Sequence, residues 1–423
     1  MTARDAALSA LRVFRLGGDY RAELESRLSD VADARERALA NTITLGVVRN
    51  LTLCDYYISS ASSIKLGKIE PQALDILRAA VYQLAFLDKI PASAAVNEAV
   101  KRARQKLNPR AAGFINAVLR KLSSEALPEV KAAGEIERLA VLYSHPEWLV
   151  REFVSRLGEA ETEELLRANN AEPPIYARVN TLKTTQPELA DTLTRLGVEV
   201  QNSSLDGTLE LRGTGNITAL EPFIKGEFFV QDPSSTRCAL TVGAKSGERI
   251  IDACAAPGGK SFALSLEMQN AGEILAFDTD AKLDMINDGA RRLGINIISA
   301  RAGDSSVFDA SLENTADAVL VDAPCSGFGV VRKKPEIRYK SEAEIAELPE
   351  TALAILQNCA RYVKPGGRLI YSTCTLLERE NEGVVRAFLD GGDSFALRNE
   401  TMLYPHRDGF DGFFIAVMER NDA

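Results

Sequence analysis

From residue 240 onwards, short apolar segments alternate with helical stretches, and this alternation is the feature that most restricts the fold. The strand-like segments are ERIIDA (248–253), EILAFDTD (273–280), IISARAGD (297–304), DAVLVDAP (317–324) and GRLIYSTC (367–374). Repeated units of this kind predict a mostly parallel, doubly wound α/β sheet. In such a sheet the carboxyl ends of the strands meet at one edge, where ligands bind.

The first 130 residues follow a different pattern, which predicts an all-helical domain. Apolar residues over 74–84 recur at the spacing of one helix face, and Pro71 stands where the first turn of that helix would begin. Residues between these two regions combine both patterns: two helical stretches, then a strand at 175–183, a helix at 187–196, a strand at 198–201 and a turn-rich segment over 202–215. We therefore expect three domains: a helical domain over 1–130, a small α+β module over 135–235 and the α/β domain over 236–423.

The net charge of −9 is divided unevenly, and the division bears on the class of partner. Residues 1–130 carry 19 Lys or Arg and 14 Asp or Glu, a net charge of +5, so the remainder carries −14. A run between 101 and 121 has seven basic residues and no acidic one: Lys101, Arg102, Arg104, Lys106, Arg110, Arg120 and Lys121. Such a run suits either a solvated helix face or a phosphate-binding surface, and a basic front favours an anionic partner such as nucleic acid.

Composition excludes several kinds of site. The six cysteines include no C-x-x-C pair, which excludes a zinc ribbon and a disulfide framework; we expect Cys54, Cys238 and Cys359 to be core residues. With only two histidines, a His-rich metal site is excluded, and we expect no metal. No apolar run approaches the roughly 20 residues of a membrane span, and the N-terminus lacks the pattern of a secretory signal, so we expect a cytoplasmic protein.

A Gly-rich turn, residues 254–260, follows the first strand of the α/β domain and opens a helix. Cys254 stands where a phosphate-binding P-loop needs glycine, and no G-x-G-x-x-G fingerprint is present. Asp278 ends the second strand, the position that holds a ribose diol, and Asp304 ends the third, where a carboxylate can accept from the amino group of adenine. Each aspartate alone also suits a helix cap. Acids at three successive strand ends favour a nucleoside without a polyphosphate, and S-adenosylmethionine fits better than ATP or NAD.

Two cysteines follow the next two strands. Asp322 and Cys325 come after the fourth strand and Cys374 ends the fifth, so adjacent strands would bring all three into one cleft beside the cofactor. Thiols have a specific use there, because carbon 5 of a pyrimidine becomes nucleophilic once a thiolate adds to carbon 6. Lys260 or a helix N-terminus would lower the thiol pKa, and a protonated Asp322 would hydrogen-bond N3 of cytosine.

These motifs resemble those of a known family. CAAPGGK at 254–260, DAPCSG at 322–327 and YSTCT at 371–375 are similar to the RNA cytosine-5 methyltransferases. Residues 76–122 resemble a NusB-like domain and IYARVNTLK at 175–183 resembles an RNA-binding linker module. Over essentially the whole chain the layout is similar to the bacterial RsmB (Sun/Fmu) family, which implies a NusB-like front domain and a Rossmann-like methyltransferase domain at the back.

The resemblance also implies roles for residues. Cys374 would be the nucleophile, and Cys325 would help to release the product by taking the proton of carbon 5. The expected cofactor-binding residues are Cys254, Ala255, Ala256, Pro257, Gly258, Gly259, Lys260, Asp278, Asp304 and Asp322. Phe328 and Ser261 depart from the family pattern, which has a small polar residue and a threonine there. A basic stretch would hold the RNA backbone at the cleft: Arg332, Lys333, Lys334, Arg338 and Lys340.

The expected function is methylation of carbon 5 of a cytosine in small-subunit (16S) rRNA, with S-adenosylmethionine and a covalent Cys374–cytosine adduct. The substrate would be naked rRNA or an early assembly intermediate, and the enzyme a monomer. Two alternatives stay open: the same reaction on tRNA or large-subunit rRNA, and a non-catalytic NusB-like RNA-binding or assembly factor. Methylation of an exocyclic amine is disfavoured, because a nitrogen nucleophile needs no thiol.

Overall fold

The computed structural model describes residues 1–392 and 394–422 and divides the chain into two compact units, Met1–Asn170 and Ala171–Ala423. All the regular elements of the first unit are helices. The sequence predicts this for residues 1–130, which form the larger part of the unit. Its helices are α1 (Ala3–Arg15), α2 (Tyr20–Leu28), α3 (Ala34–Arg49), α4 (Leu51–Ala61), α5 (Pro71–Phe86), α6 (Ala92–Lys106), α7 (Pro109–Ser124), α8 (Glu135–Leu142), α9 (Glu147–Leu157) and α10 (Glu159–Asn170). None of the helices in the described part of the chain is both long enough and apolar enough to cross a membrane.

Local sequence signals set several helix ends in this unit. Helix α5 begins at Pro71, as predicted, and the predicted apolar stripe is buried, with Leu77 and Val81 inaccessible to solvent. Helix α7 begins after Asn108, whose side chain accepts the backbone N–H of Ala111 at 2.9 Å. That bond satisfies one of the N–H groups that a helix leaves without a partner at its start.

The second unit opens with a small antiparallel sheet in the order β2-β3-β1-β4. Its strands and helices are β1 (Ile175–Val179), α11 (Gln186–Arg195), β2 (Glu199–Asn202), β3 (Thr208–Arg212), α12 (Glu221–Ile224) and β4 (Phe228–Val230). The α+β character is as predicted, but the segment expected to be only turns contains β3. Leu209 and Leu211 of β3 are buried on either side of Glu210, the alternation of a half-buried strand. Because β3 is only five residues long and lies among turn residues, its periodicity is weak.

A seven-stranded sheet forms the rest of this unit, in the order β10-β11-β9-β8-β5-β6-β7. Its strands are β5 (Arg249–Asp252), β6 (Glu273–Asp278), β7 (Ile298–Ala302), β8 (Ala316–Asp322), β9 (Val363–Thr373), β10 (Phe395–Leu403) and β11 (Phe413–Arg420). The helices are α13 (Pro233–Thr241), α14 (Gly259–Glu267), α15 (Leu283–Leu293), α16 (Glu342–Ile345), α17 (Leu348–Ala360), α18 (Glu382–Asp390) and α19 (Pro405–Asp408). The five predicted strands pair in parallel, whereas β10 and β11, which were not predicted, are antiparallel.

The parallel sheet has a hydrophobic core on each face. Ile250 and Leu320 point into one core, and their neighbours Ile251 and Val321 point into the other. Strands buried on both faces need apolar residues at every position, which explains why these segments could be recognised in the sequence. Three cysteines expected in the core, Cys54, Cys238 and Cys359, are inaccessible to solvent.

Truncating a core side chain at the centre of the sheet tests this description. Leu320 in β8 is inaccessible to solvent, so Leu320→Ala should lower the free energy of unfolding by about 2–5 kcal/mol. Leu397 in β10 is 40% exposed, and Leu397→Ala should cost less than about 1 kcal/mol. Urea denaturation followed by circular dichroism would measure both. Equal costs for the two variants would contradict the assigned sheet order.

Candidate active site

The Gly-rich turn between β5 and α14 owes its shape to Gly258. This residue has φ +104°, a left-handed value, and a Cβ here would lie 2.5 Å from the ring of Phe262. The turn is also held against β6, because the N–H of Ala255 donates to the carbonyl of Phe277 at 2.9 Å. Helix α14 then starts at Gly259, so its N-terminus faces the carboxyl edge of the sheet from the end of this turn.

Asp278, at the end of β6, binds this turn directly. Its Oδ2 accepts the N–H of Ala256 at 2.9 Å, and its Oδ1 accepts the N–H of Thr279 at 2.7 Å and lies 3.0 Å from Nζ of Lys282. Burial opposes ionisation, but these donors outweigh it and lower the pKa of Asp278. Asp278 is therefore a fixed negative charge at the position where a ribose would lie.

A cavity of about 210 Å³ opens between the ends of β5, β6 and β7. Its walls are largely apolar, with the rings of Phe277 and Phe308, and Asp304 stands among its lining residues. Asp304 is exposed and accepts the N–H and the hydroxyl of Ser306, at 2.9 and 2.6 Å, which lowers its pKa. An apolar slot with a carboxylate suits a flat ring that carries an amino group. The described residues thus fit an adenosine moiety, the part of S-adenosylmethionine expected here.

Lys260 connects the Gly-rich turn to the end of β8. Its Nζ lies 2.6 Å from Oδ2 of Asp322, and the hydroxyl of Ser372 donates to Oδ1 of Asp322 at 2.9 Å. Burial favours the neutral amine, but the attraction of Asp322 outweighs it and raises the pKa of Lys260. Both oxygens of Asp322 thus have partners, and the protonated state suggested for this residue by the sequence stays a prediction.

The two predicted thiols lie side by side. The Sγ atoms of Cys325 and Cys374 are 3.4 Å apart, although 48 residues separate them in the chain. The hydrogen bond from Cys325 lowers the pKa of Cys374; burial and the carboxylate of Asp322 oppose this effect, and the charge of Lys260 assists it. The same hydrogen bond, together with burial, raises the pKa of Cys325. The thiols are therefore unequal, and Cys374 is the one that ionises more readily.

The loops that carry the thiols are held by residues that sequence reasoning did not identify. Glu380 Oε2 accepts the N–H of Ser326 at 2.7 Å, and Asn381 Nδ2 donates to the carbonyl of Thr375 at 3.0 Å. Both are buried, although the sequence ERENEG reads as an exposed turn and gives no signal of this role. Asp252, the acid at the end of the first predicted strand, was not among the expected site residues. It is buried, which raises its pKa to about 6, and its carboxylate accepts the hydroxyl of Ser261 at 2.6 Å.

Ser261, one of the two departures from the family pattern, thus supports the turn through Asp252. The other departure, Phe328, is inaccessible to solvent and belongs to the packed interior. Cys254 lies in the turn as predicted, and burial raises the pKa of its thiol, so it differs from Cys374 in this respect.

The basic stretch after Cys325 does not form the expected RNA-binding surface. Arg332 is 5% exposed and donates to Asp411 at 3.1 Å, and Arg338 is inaccessible to solvent. Lys333 Nζ lies 2.5 Å from Asp232 and 2.7 Å from Asp411. The expectation is therefore wrong for the two arginines, because burial of a charge demands internal partners and removes it from RNA.

Lys340 is also used inside the protein, where its Nζ donates to the carbonyl of Ser326 at 2.9 Å. Within the stretch, Lys334 is exposed. Sequence alone could not distinguish these uses of a basic residue, because the carboxylates that bind Arg332 and Lys333 lie 78–101 residues away in the chain.

A seven-stranded Rossmann-like sheet, a Gly-rich turn tied to Asp278 and a cavity lined by Asp304 at the carboxyl edge of the sheet are features of an S-adenosylmethionine-dependent methyltransferase. Three family models match consecutive parts of the chain: the NusB family over residues 1–124, a ferredoxin-like domain of RsmF/B-like methyltransferases over 145–218 and the 16S rRNA methyltransferase RsmB/F over 239–419. Together they cover the helical, α+β and α/β parts predicted from the sequence.

Similar proteins extend the match to the full chain. A protein of Bacillus subtilis (strain 168) named "Probable ribosomal RNA small subunit methyltransferase B" is 36% identical, covering 99% of this chain and 98% of the relative. The "Ribosomal RNA small subunit methyltransferase B" of Sodalis glossinidius is 33% identical over 91% of this chain and 90% of its own. The crystal structure of PH0851 superposes with a TM-score of 0.83 at 29% identity, covering 99% of this chain and 98% of that chain. The chain belongs to the RsmB/F family of 16S rRNA methyltransferases.

Removal of the Asp278 carboxylate should weaken cofactor binding. Hydrogen bonds to a charged group contribute about 1.5–3 kcal/mol, so Asp278→Ala should lower the affinity for S-adenosylmethionine about tenfold or more, measured by isothermal titration calorimetry. Asp280, two residues further on and exposed, provides a matched control, and Asp280→Ala should bind normally. Equal affinities of the two variants for S-adenosylmethionine would show that Asp278 does not bind the cofactor.

Proposed function

We propose that this protein methylates carbon 5 of a cytosine in small-subunit (16S) rRNA, through a covalent adduct between Cys374 and the base. The observation that carries the proposal is the pair of unequal thiols, 3.4 Å apart, at the edge of the sheet where the cofactor residues also lie. The names of the relatives support the small-subunit rRNA as substrate. S-adenosylmethionine supplies an electrophilic methyl group when bound, and Asp278, Asp304 and the 254–260 turn would hold it.

Cys374 would act first. Its thiolate, favoured by Cys325 and Lys260, adds to carbon 6 of the cytosine, and the electron pair of the ring makes carbon 5 nucleophilic. The target base must leave its stack to reach the sulfur of Cys374. Asp322, held by Lys260 and Ser372, lies beside the thiols and would face N3 of the base.

Cys325 would act last, in the release of product. The largest cause of its raised pKa is the hydrogen bond to Cys374, and bonding of Cys374 to carbon 6 removes the thiolate that this bond stabilises. Cys325 then loses its proton more easily and, as a thiolate, can take the proton of carbon 5. The carbon–sulfur bond breaks at the same time and returns the thiolate of Cys374.

The chain would share these tasks among three domains, with 1–130 and 135–235 binding RNA and 236–423 performing the chemistry. A groove of about 560 Å³ between α6 and α7 supports an RNA-binding role for the first domain. Its basic lining residues, Lys101, Arg104 and Arg120, are exposed. The predicted basic run is thus divided, because Arg102 is 5% exposed and donates to Glu98 at 2.6 Å. The enzyme would act as a monomer in the cytoplasm, on naked rRNA or an early assembly intermediate.

A methylation assay tests the reaction. Purified protein, S-adenosylmethionine and an unmodified 16S rRNA transcript should yield 5-methylcytidine, detected by mass spectrometry after digestion. Large-subunit rRNA and tRNA, tested in parallel, should give none. A product on either of these RNAs would show that it is the substrate instead. No product on any RNA, together with no binding of S-adenosylmethionine, would favour the alternative of a non-catalytic RNA-binding factor.

The two thiols should give opposite results in the same assay. Cys374→Ala should abolish turnover and leave cofactor affinity unchanged, since it removes the nucleophile. Cys325→Ala should instead accumulate a protein–RNA complex that survives a denaturing gel. Cys54→Ala, which changes a core cysteine of the helical unit, should retain activity. Normal turnover by Cys374→Ala would refute the covalent mechanism.

The groove can be tested separately from the chemistry. Replacement of Lys101, Arg104 and Arg120 by glutamine should weaken RNA binding and reduce the dependence of log affinity on log salt by about 2–3, since each phosphate contact contributes about 0.9. Lys65, Lys68 and Lys89 are exposed in the same unit, and their replacement by glutamine provides the control. Equal salt dependence in the two triple variants would place the RNA elsewhere.

A further inference from the structure

One short segment, residues 378–381, contacts both loops that carry the thiols. On the side of Cys325, Glu380 Oε2 accepts the N–H of Ser326 at 2.7 Å. Ser326 follows Cys325 directly in the chain, so this hydrogen bond restrains the backbone at the position of the thiol. The main chain of Glu380 is also held, because the hydroxyl of Tyr371 donates to its carbonyl.

On the side of Cys374, the same segment uses Asn381. Its Nδ2 donates to the carbonyl of Thr375 at 3.0 Å, and its Oδ1 accepts the hydroxyl of Thr373. These two threonines flank Cys374. Glu380 therefore supports the loop of Cys325 and Asn381 the loop of Cys374, and the two loops are also joined directly, since the hydroxyls of Ser326 and Thr375 lie 2.7 Å apart.

Glu380 is an unusual residue for a purely structural position. It is 1% exposed, and its second oxygen, Oε1, has no hydrogen-bond partner among the described residues. Burial raises its pKa, as expected for a carboxylate removed from water. A buried, half-satisfied carboxylate is costly, so a specific use for its bond to Ser326 is expected.

We propose that Glu380 is a positioning residue for Cys325, holding its loop so that the sulfur faces the methylated base during product release. The inference rests on the proposed function, because it assigns Glu380 to one step of that reaction. In this step the C5–H bond breaks, its proton goes to the thiolate of Cys325 and its electron pair forms the C5–C6 double bond. The bond from carbon 6 to Cys374 breaks with its electrons, which restores the thiolate of Cys374.

Loss of Glu380 should therefore affect release and spare adduct formation. Asn381 still supports the loop of Cys374, so the nucleophile keeps its position, whereas the N–H of Ser326, beside Cys325, loses its partner. A covalent protein–RNA complex should accumulate, as in Cys325→Ala. A general loss of folding would lower adduct formation instead, so the amount of complex distinguishes positioning from a structural defect.

The test compares Glu380→Ala with Glu380→Gln in the full-length protein, with 16S rRNA transcript and S-adenosylmethionine. Glu380→Ala should lower turnover about tenfold or more, the effect of about 1.4 kcal/mol, and accumulate the complex. Glu380→Gln keeps an oxygen that can accept from Ser326 and should restore turnover to within about threefold of wild type. Glu378, exposed in the same segment, gives the matched control Glu378→Ala, which should behave as wild type.

Three results would overturn the proposal: wild-type turnover by Glu380→Ala, loss of turnover without complex in a folded protein that binds cofactor, or failure of Glu380→Gln to restore activity. If Glu380→Ala does not fold, Glu380→Asp decides, because it keeps the charge but withdraws the carboxylate from Ser326. The Glu380→Asp variant should accumulate the covalent protein–RNA complex. Release of product at the wild-type rate would refute the role of Glu380. If wild type forms no 5-methylcytidine and Cys325→Ala traps no complex, the proposed function has failed; if both behave as expected, only the role of Glu380 is in question.

Discussion

The parallel pairing of β8 with β9 is the constraint on which the active site depends. Asp322 lies opposite Ser372 in this register, so both strands end at the same level of the sheet. The loops that follow then meet, and Cys325 and Cys374 come within 3.4 Å of each other. Side chains alternate between the faces of a strand, so a shift of one residue would send Asp322 to the opposite face and separate it from Lys260. The hydrophobic cores on both faces prevent such a shift.

Buried charges then organise the edge of the sheet around this pair. Lys260 links the cofactor turn to Asp322, and Lys333 links Asp232 to Asp411. Each of these charges is stable inside the protein because a partner of opposite sign lies within 3 Å, and each would be costly alone. The hydrogen bond between the thiols is the largest cause of their difference in pKa, and the carboxylate of Glu380 acts further on Cys325. The asymmetry of the two cysteines is thus a property of their surroundings.

Features that depend on local sequence were predicted, and features that depend on contacts between distant residues were not. Strands β5, β6, β8 and β9 were predictable because burial on both faces requires continuous apolar residues. Pro71 and the glycines of the turn mark local backbone geometry. Strands β10 and β11 were not predicted, since they add antiparallel to a parallel sheet and only the four-residue helix α19 separates them. Arg332 and Arg338 were misjudged because charge in a sequence does not reveal burial. Glu380 and Asn381 were overlooked for the same reason, as polar residues of an apparent surface turn.

The sequence by itself determined the kinds of local structure, the family and the cofactor class, because periodicity, glycine positions and short motifs depend on neighbouring residues. It also identified both thiols and the acids at the strand ends. Only the tertiary structure decided which charged residues are buried, which of the seven basic residues between 101 and 121 line a groove, and which polar residues support the thiol loops. Those properties depend on contacts between residues far apart in the chain, such as Ser326 with Glu380, and these contacts form only when the strands are in register.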